Sequence, residues 1–118
     1  MPLFRSVPEY HETLWRILDY LEAAGPASTA DITRLLFGER SRNGGRIAYI
    51  LLCEMLDPLG IVGRVVIRSE TRRVVSPDCA VCRYLADNRF VSRATLWFIP
   101  HLTDLCGFHT RHAGLPED

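Results

Sequence analysis

Residues 76–109 read SPDCAVCRYLADNRFVSRATLWFIPHLTDLCGFH and contain two short clips, Cys79-x-x-Cys82 and Cys106-x-x-His109. A two-residue gap lets both side chains of a clip reach one ion from a single turn, and the two clips together offer three thiolates and one imidazole. Four such ligands complete the tetrahedral shell of structural zinc. The sequence therefore predicts that Zn²⁺ binds these four side chains and folds a segment with too few apolar residues to fold alone.

Other interpretations of the cysteines stay open from the sequence. They include buried thiols, a redox CxxC pair and two disulfides of a secreted protein. The Ser-Pro-Asp turn before Cys79 is atypical of a thioredoxin-like motif. His101 and His112 are rivals of His109 as the fourth ligand. Cys53 lies in an apolar helical run and is expected to be a core residue.

Length and composition predict a small soluble fold. A chain of 118 residues with 47% hydrophobic residues can bury one core. No apolar run approaches the roughly 18 residues of a membrane span, and the N-terminus lacks a signal-peptide pattern. We therefore expect a cytoplasmic protein without membrane contact, where reducing conditions favour metal binding over disulfides. Two parts are predicted, a domain over 1–76 and a zinc-binding segment over 77–118 packed on it.

The charge of the chain is zero overall but unevenly distributed. Residues 1–33 carry a net charge of −3, whereas residues 34–73 carry eight arginines against four acidic residues. All 14 basic residues are arginine, which suits bidentate contacts to phosphate and guanine. The middle segment is therefore a candidate nucleic-acid surface, although a pI of about 6.9 argues against strong non-specific DNA binding.

The N-terminal part has the pattern of three helices. Ser6 and Glu9 form a capping-box pattern before the first helix, and Gly25-Pro26 ends it. Ser28 and Asp31 open the second helix, which ends at Gly38. The third begins near Gly44 or Gly45 and ends at Asp57-Pro58. Apolar residues recur at helical spacing in all three.

Two β-rich runs follow the third helix. Gly63 to Arg68 and Arg72 to Val75 flank a polar turn at 69–71, which predicts a β-hairpin. Three helices followed by a hairpin resemble the winged helix-turn-helix transcription regulators over about residues 8–76. The predicted class is α+β, mainly α: a winged helix with a small zinc-stapled helical C-terminal segment.

The resemblance implies a way of binding double-stranded DNA. The third helix would enter the major groove, and the hairpin wing would place arginines near phosphates or the minor groove. The connection between the second and third helices, residues 38–45, is longer than the usual three- or four-residue turn. The residues implied in DNA contact are Arg42, Asn43, Arg46 and Tyr49 on the helix and Arg68, Arg72 and Arg73 on the wing.

The C-terminal third is expected to contain short helices. One follows the first clip over 83–87, a second is capped by Ser92 and includes Leu96, Trp97 and Phe98, and Pro100 begins a further turn. No catalytic pattern is present: there is no Gly-rich phosphate loop, no G-x-S-x-G and no His-Glu-x-x-His. We therefore expect no enzyme activity.

Two functions from different classes remain. The first is a DNA-binding regulator with structural zinc, expected to be a dimer because one unit reads a short half-site. The second is a protein-binding adaptor or inhibitor of the phage or plasmid type, which docks on a host protein without touching DNA. A metal sensor is a further variant of the first.

Overall fold

The computed structural model describes residues 7–38 and 44–114 and has four strands and five α-helices in that part. In chain order the elements are α1 (Val7–Ala24), β1 (Ala27–Ser28), α2 (Thr29–Phe37), α3 (Gly44–Ile50), a π-helical turn (Leu51–Leu56), β2 (Gly63–Ile67), α4 (Ala80–Asp87), β3 (Ala94–Phe98), a 3₁₀ turn (Pro100–Leu102), α5 (Gly107–His112) and β4 (Ala113–Gly114). The fold is therefore α+β and mainly helical, with a small antiparallel sheet, as predicted.

The first two helices begin and end where the sequence predicts. Gly25 ends α1 with φ of +80°, a conformation that favours glycine. Ser28 caps α2 in a full capping box, in which its hydroxyl accepts from the Asp31 amide and the Asp31 carboxylate accepts from the Ser28 amide. Gly38 ends α2 with φ of +76°. The predicted cap Ser6 lies outside the described residues.

The third helix is also confirmed, and its second half widens. After α3 the chain continues as a π-helical turn, where the Asp57 amide donates to the Leu52 carbonyl at 2.8 Å. Leu51, Leu52 and Leu56 are buried there. Pro58 and Gly60, the latter with φ of +73°, then lead the chain out of the helix.

The four strands form one antiparallel sheet in the order β1-β3-β2-β4. β3 lies between β1 and β2, with Ala27 opposite Trp97 and Gly63 opposite Phe98. β4 pairs with the other edge of β2. Since successive side chains of a strand point to opposite faces, β3 supplies residues to two cores.

One core lies on each face of the sheet. The helix-side core contains Ile17, Leu21, Ala27, Ile32, Ala48, Leu51, Leu52, Leu56, Val62, Trp97 and Ile99. The cysteine-side core contains Val65, Ile67, Cys79, Val81, Cys82, Leu85, Leu96 and Phe98.

The predicted hairpin of Gly63–Arg68 with Arg72–Val75 is wrong, because β2 pairs with β3 instead. Thr71 turns the chain away from β2: its hydroxyl donates to the Val66 carbonyl and accepts from the Arg68 amide, both at 2.8 Å. The Val75 amide then donates to the Cys82 sulfur at 3.3 Å. Residues 72–75 thus run along the first clip. The position beside β2 that was predicted for them is taken by β3, whose sequence is more apolar.

The helix predicted from Ser92 is also wrong, because residues 94–98 form β3. The buried run Leu96-Trp97-Phe98 fits a central strand, where both faces are covered. Trp97 points into the helix-side core, and its indole N–H donates to the Thr29 hydroxyl at 2.9 Å. Leu96 and Phe98 point to the cysteine-side core. In a helix, consecutive side chains point about 100° apart, so these three could not alternate between two opposite faces.

The predicted division at residue 76 stays a prediction. β3, from the predicted C-terminal segment, hydrogen-bonds to β1 and β2 of the predicted N-terminal domain. The other short C-terminal elements, α4 after the first clip and the turn at Pro100, form where the sequence indicates. None of the helices in the described residues is long and apolar enough to cross a lipid bilayer.

Candidate metal centre

The first clip is built at the start of α4. Cys79 is the N-cap of this helix, and its sulfur accepts a hydrogen bond from the Cys82 amide at 3.4 Å. A cap side chain has to face the first helical turn, so this bond directs the Cys79 sulfur toward the Cys82 side chain. Both cysteines are buried.

The second clip repeats this arrangement at the start of α5. Cys106 is the N-cap, and its sulfur accepts from the His109 amide at 3.5 Å. His109 is fully buried, and Cys106 is partly buried. Because each clip is a helix cap, its two ligand side chains converge without the help of distant residues.

One backbone contact joins the two clips. The Ala80 amide, next to Cys79, donates to the carbonyl of Asp104 at 2.8 Å, two residues before Cys106. The start of α4 therefore lies directly beside the segment that leads into α5.

The four predicted ligands meet in one cluster. The Nδ1 atom of His109 lies 3.5 Å from the sulfur of Cys79, 3.4 Å from that of Cys82 and 3.2 Å from that of Cys106. The sulfurs of Cys82 and Cys106 are 3.9 Å apart, and all four ligand atoms lie within 4.8 Å of one another. None of these cysteines forms a disulfide. The cluster can hold a metal ion, as the sequence predicts.

The other ring nitrogen of His109 has a partner of its own. Nε2 lies 3.2 Å from the carbonyl oxygen of Thr71, which can only accept a hydrogen bond. The contact favours the tautomer with the proton on Nε2, so the lone pair of Nδ1 faces the three sulfurs. Such an outer contact commonly orients histidines that bind metals.

The protein environment shifts the pKa values of the two thiols of the first clip in opposite directions. Burial opposes ionisation of Cys79, but hydrogen bonds from the backbone of Cys106 and Cys82 outweigh it and lower the pKa of this thiol to about 6. Burial raises the pKa of Cys82, and the neighbouring Cys79 sulfur adds to the increase. One thiolate thus forms readily, while a second needs the positive charge of a cation.

The rival ligands lie elsewhere. His101 and His112 are exposed and are not members of the cluster. Cys53 packs against the helix-side core, where its sulfur accepts from the Arg64 guanidinium at 3.3 Å. Its expected role as a packing residue therefore agrees with its position.

The residues predicted to contact DNA divide into three groups. Arg42 and Asn43 lie outside the described residues. Arg46, Tyr49 and Arg68 are exposed, and the Tyr49 ring contacts the Trp97 ring edge-on at 6.3 Å.

Arg72 and Arg73 contact the protein itself. The Arg72 guanidinium donates to the carbonyls of Val91 at 2.7 Å, Arg89 at 2.8 Å and Asn88 at 3.3 Å. The Arg73 guanidinium lies over the Phe108 ring, 5.2 Å from its centre. Arg72 therefore holds the loop over 88–91 in place.

Two arginines outside the set predicted to contact DNA lie beside members of that set. Arg64 lies over the Trp97 ring at 5.9 Å, and Arg93 immediately precedes β3. The alternation Arg64-x-Val66-x-Arg68 was available as a signal, since it places three residues on one face of a strand. The Thr71 carbonyl near His109 had no such signal, because backbone acceptors carry no sequence pattern.

No protein-family model, curated protein or solved structure matches this chain.

Proposed function

We propose that the metal ion is zinc and that it has a structural role. In a zinc tetrahedron with three sulfurs and one nitrogen, the edges measure ~3.8 Å between sulfurs and ~3.6 Å between sulfur and nitrogen. The three sulfur–nitrogen separations of 3.2 to 3.5 Å and the Cys82–Cys106 sulfur separation of 3.9 Å lie close to these edges, and the other sulfur pairs lie within 4.8 Å. Thiolates and imidazole are also the donors that zinc prefers.

Four protein ligands support a structural role over a catalytic one. Catalytic zinc keeps one position for water or substrate, whereas three cysteines and one histidine fill all four positions. The metal would join α4 to α5 on the side of the sheet that carries the cysteine-side core. The proposal includes no enzyme activity.

Elemental analysis after dialysis tests the metal proposal. We expect one zinc per chain in the wild type and at most a small fraction of that in Cys106→Ser. Cys53→Ser is the matched control, because it removes a thiol that lies outside the cluster, and it should keep full zinc content. A folded wild-type protein purified without chelators and free of zinc contradicts the proposal.

We further propose that the protein is a DNA-binding regulator of the winged-helix type. Support comes from the order of elements: three helices precede the antiparallel pair β2 and β3, as in the proteins that the sequence resembles. Residues 68–93 connect the two strands. The predicted dimer and a cytoplasmic location remain part of this proposal.

The observation that carries the DNA proposal is a basic face on the sheet. Pairing places Arg64 opposite Trp97 and Val66 opposite Thr95. The same register, continued by one residue past Ile67 and Ala94, places Arg68 opposite Arg93. The basic face comprises Tyr49, Arg64, Val66, Arg68, Arg93 and Thr95, and it runs from α3 to the far end of the sheet.

No carboxylate in the described part of the chain neutralises the charges of the basic face. Within the described residues, neither Arg68 nor Arg93 forms an ion pair with a carboxylate. Like charges on opposite positions of two strands destabilise the sheet. An approaching phosphate backbone removes this repulsion, so the face favours a polyanion.

A salt series of DNA-binding measurements tests this proposal. The double variant Arg68→Gln/Arg93→Gln should bind duplex DNA more weakly, and the slope of log K against log salt should fall by about 2, or about one per lost phosphate contact. The control Arg83→Gln removes an exposed arginine from α4, on the cysteine side of the sheet. It should leave the affinity for duplex DNA and the salt slope unchanged. Equal slopes for all three proteins contradict the proposal, as does a wild type that binds no duplex at low salt.

The adaptor function is the second candidate, and one surface favours it. Val74 and Val75 are 55% and 54% exposed and line a groove of about 370 Å³ together with Pro77 and Ala86. An apolar groove of this kind is typical of a protein-binding site. If the salt series shows no DNA binding, while a Val74→Ser/Val75→Ser variant loses a protein partner, the adaptor function replaces the regulator.

A further inference from the structure

Phe90 is the most exposed large apolar side chain in the described part of the protein. It is 100% exposed and lies in the loop between α4 and β3. Neither face of its ring is covered by a neighbour, so both are open to a ligand. Burying so much apolar surface against a partner is strongly favourable.

The loop that presents Phe90 is held on both sides of it. Arg72 donates to the carbonyls of Asn88, Arg89 and Val91, and the Val91 amide donates to the Asn88 carbonyl at 3.1 Å. A residue fixed before binding loses less conformational entropy when it binds. The ring is therefore presented outward by a braced loop.

The charge beside Phe90 identifies the kind of partner. The loop sequence Asn88-Arg89-Phe90-Val91-Ser92-Arg93 has two arginines, against one acidic residue, Asp87, at the end of α4, and Arg93 belongs to the basic face. An apolar protein pocket that took the ring would also have to desolvate these cations. A nucleic acid offers a base for the ring and phosphates for the guanidinium groups, as in sites that bind unpaired bases.

We propose that Phe90 stacks on an unpaired base of a nucleic acid whose backbone lies on the basic face. The inference rests on the proposed DNA binding and adds a preference for strands with an unpaired or opened base. Arg89 and Arg93 hold the flanking phosphates, and Arg72 positions the loop without touching the ligand.

The test compares a fully paired duplex with a duplex that differs from it only by one additional, unpaired nucleotide. That bulged nucleotide is the fluorescent base 2-aminopurine. The full zinc-loaded chain should bind the bulged duplex more tightly and quench the 2-aminopurine fluorescence. Phe90→Ala should weaken bulge binding roughly tenfold or more and abolish the quench, with a smaller effect on the paired duplex. Phe90→Tyr keeps an aromatic ring and should restore both the binding of the bulged duplex and the fluorescence quench.

The control is Trp15→Ala, which removes another exposed aromatic residue, on α1, and should behave as the wild type. Equal binding of the bulged duplex by the wild type and Phe90→Ala overturns the stacking role while the DNA-binding proposal stands. Failure of the wild type to bind either duplex overturns both. Because the Phe90 side chain is fully exposed, loss of folding is not expected in its variants.

Discussion

The two faces of the sheet are stabilised by different means. The helix-side core has eleven buried residues from α1, α2, α3, the π-helical turn, and the strands with the residues next to them, and hydrophobic burial is enough to hold it. The cysteine-side core has eight, two of which are cysteines of the cluster. Its helices α4 and α5 have only eight and six residues, too short to be stable alone. Under the proposed zinc binding, the second face depends on a cross-link that the first does not need.

Loss of the metal should give the largest effect and should be confined at first to one face. Cys82→Ser or treatment with a strong chelator should destabilise the cysteine-side core by more than about 4 kcal/mol, because loss of a structural metal is among the largest single perturbations. Hydrogen exchange followed by mass spectrometry should show α4 and α5 losing protection before α1 and α2. Simultaneous loss of protection throughout the chain would remove the distinction between the faces.

A cavity in the helix-side core should give the next largest effect. Leu52 is fully buried in the π-helical turn, and Leu52→Ala should lower the free energy of unfolding by about 3 kcal/mol through lost burial and an unfilled cavity. Zinc content should stay at one per chain, since the cluster is on the other face. Denaturant unfolding combined with elemental analysis checks both points, and loss of zinc in this variant would show that the faces are not independent.

Removal of the Arg72 side chain should have a moderate effect. Arg72→Leu breaks hydrogen bonds from a charged group to three carbonyls, and we expect a loss of about 2 kcal/mol in unfolding free energy. The amides at 88–91 should exchange faster than in the wild type. The control Arg89→Leu changes a neighbouring arginine whose guanidinium lies outside this network. If both variants exchange alike in the loop, Arg72 does not brace it.

The link between the faces at Asp31 should give the smallest effect. The carboxylate caps α2 and also accepts from the Tyr84 hydroxyl of α4 at 2.8 Å. Asp31→Ala should cost about 1 kcal/mol in unfolding free energy, and Tyr84→Phe less. Asp19→Ala on the exposed side of α1 is the control and should cost almost nothing.

The same residue predicts a pH dependence with a defined sign. Burial raises the pKa of Asp31, but hydrogen bonds from the Ser28 amide, the Tyr84 hydroxyl and the Ser28 hydroxyl, with the charge of Arg34, outweigh it and hold the pKa below its ordinary 3.8. Its contribution to stability is complete above about pH 4 and is lost as the pH falls through the folded-state pKa. The gap between wild type and Asp31→Ala should therefore close in acid. A gap that widens as the pH falls contradicts this assignment.

Local patterns in the sequence determined the first three helices, the glycines that end the first two, the Ser28 cap and the identity of the four clustered ligands. Each depends on neighbours within a few residues, such as a hydroxyl three positions before an amide or a clip at a helix start. These interactions join residues that are close in sequence, and so a local pattern can predict them.

Only the tertiary structure decided which strand pairs with β2 and what residues 94–98 become. The sequence offered Arg72–Val75 as the nearer partner, but the Thr71 turn and the Cys82 sulfur direct that segment elsewhere. Leu96, Trp97 and Phe98 became a strand because two cores, one on each side, require alternating side chains. Pairing and burial between distant residues depend on the whole fold, and so no local pattern could determine them.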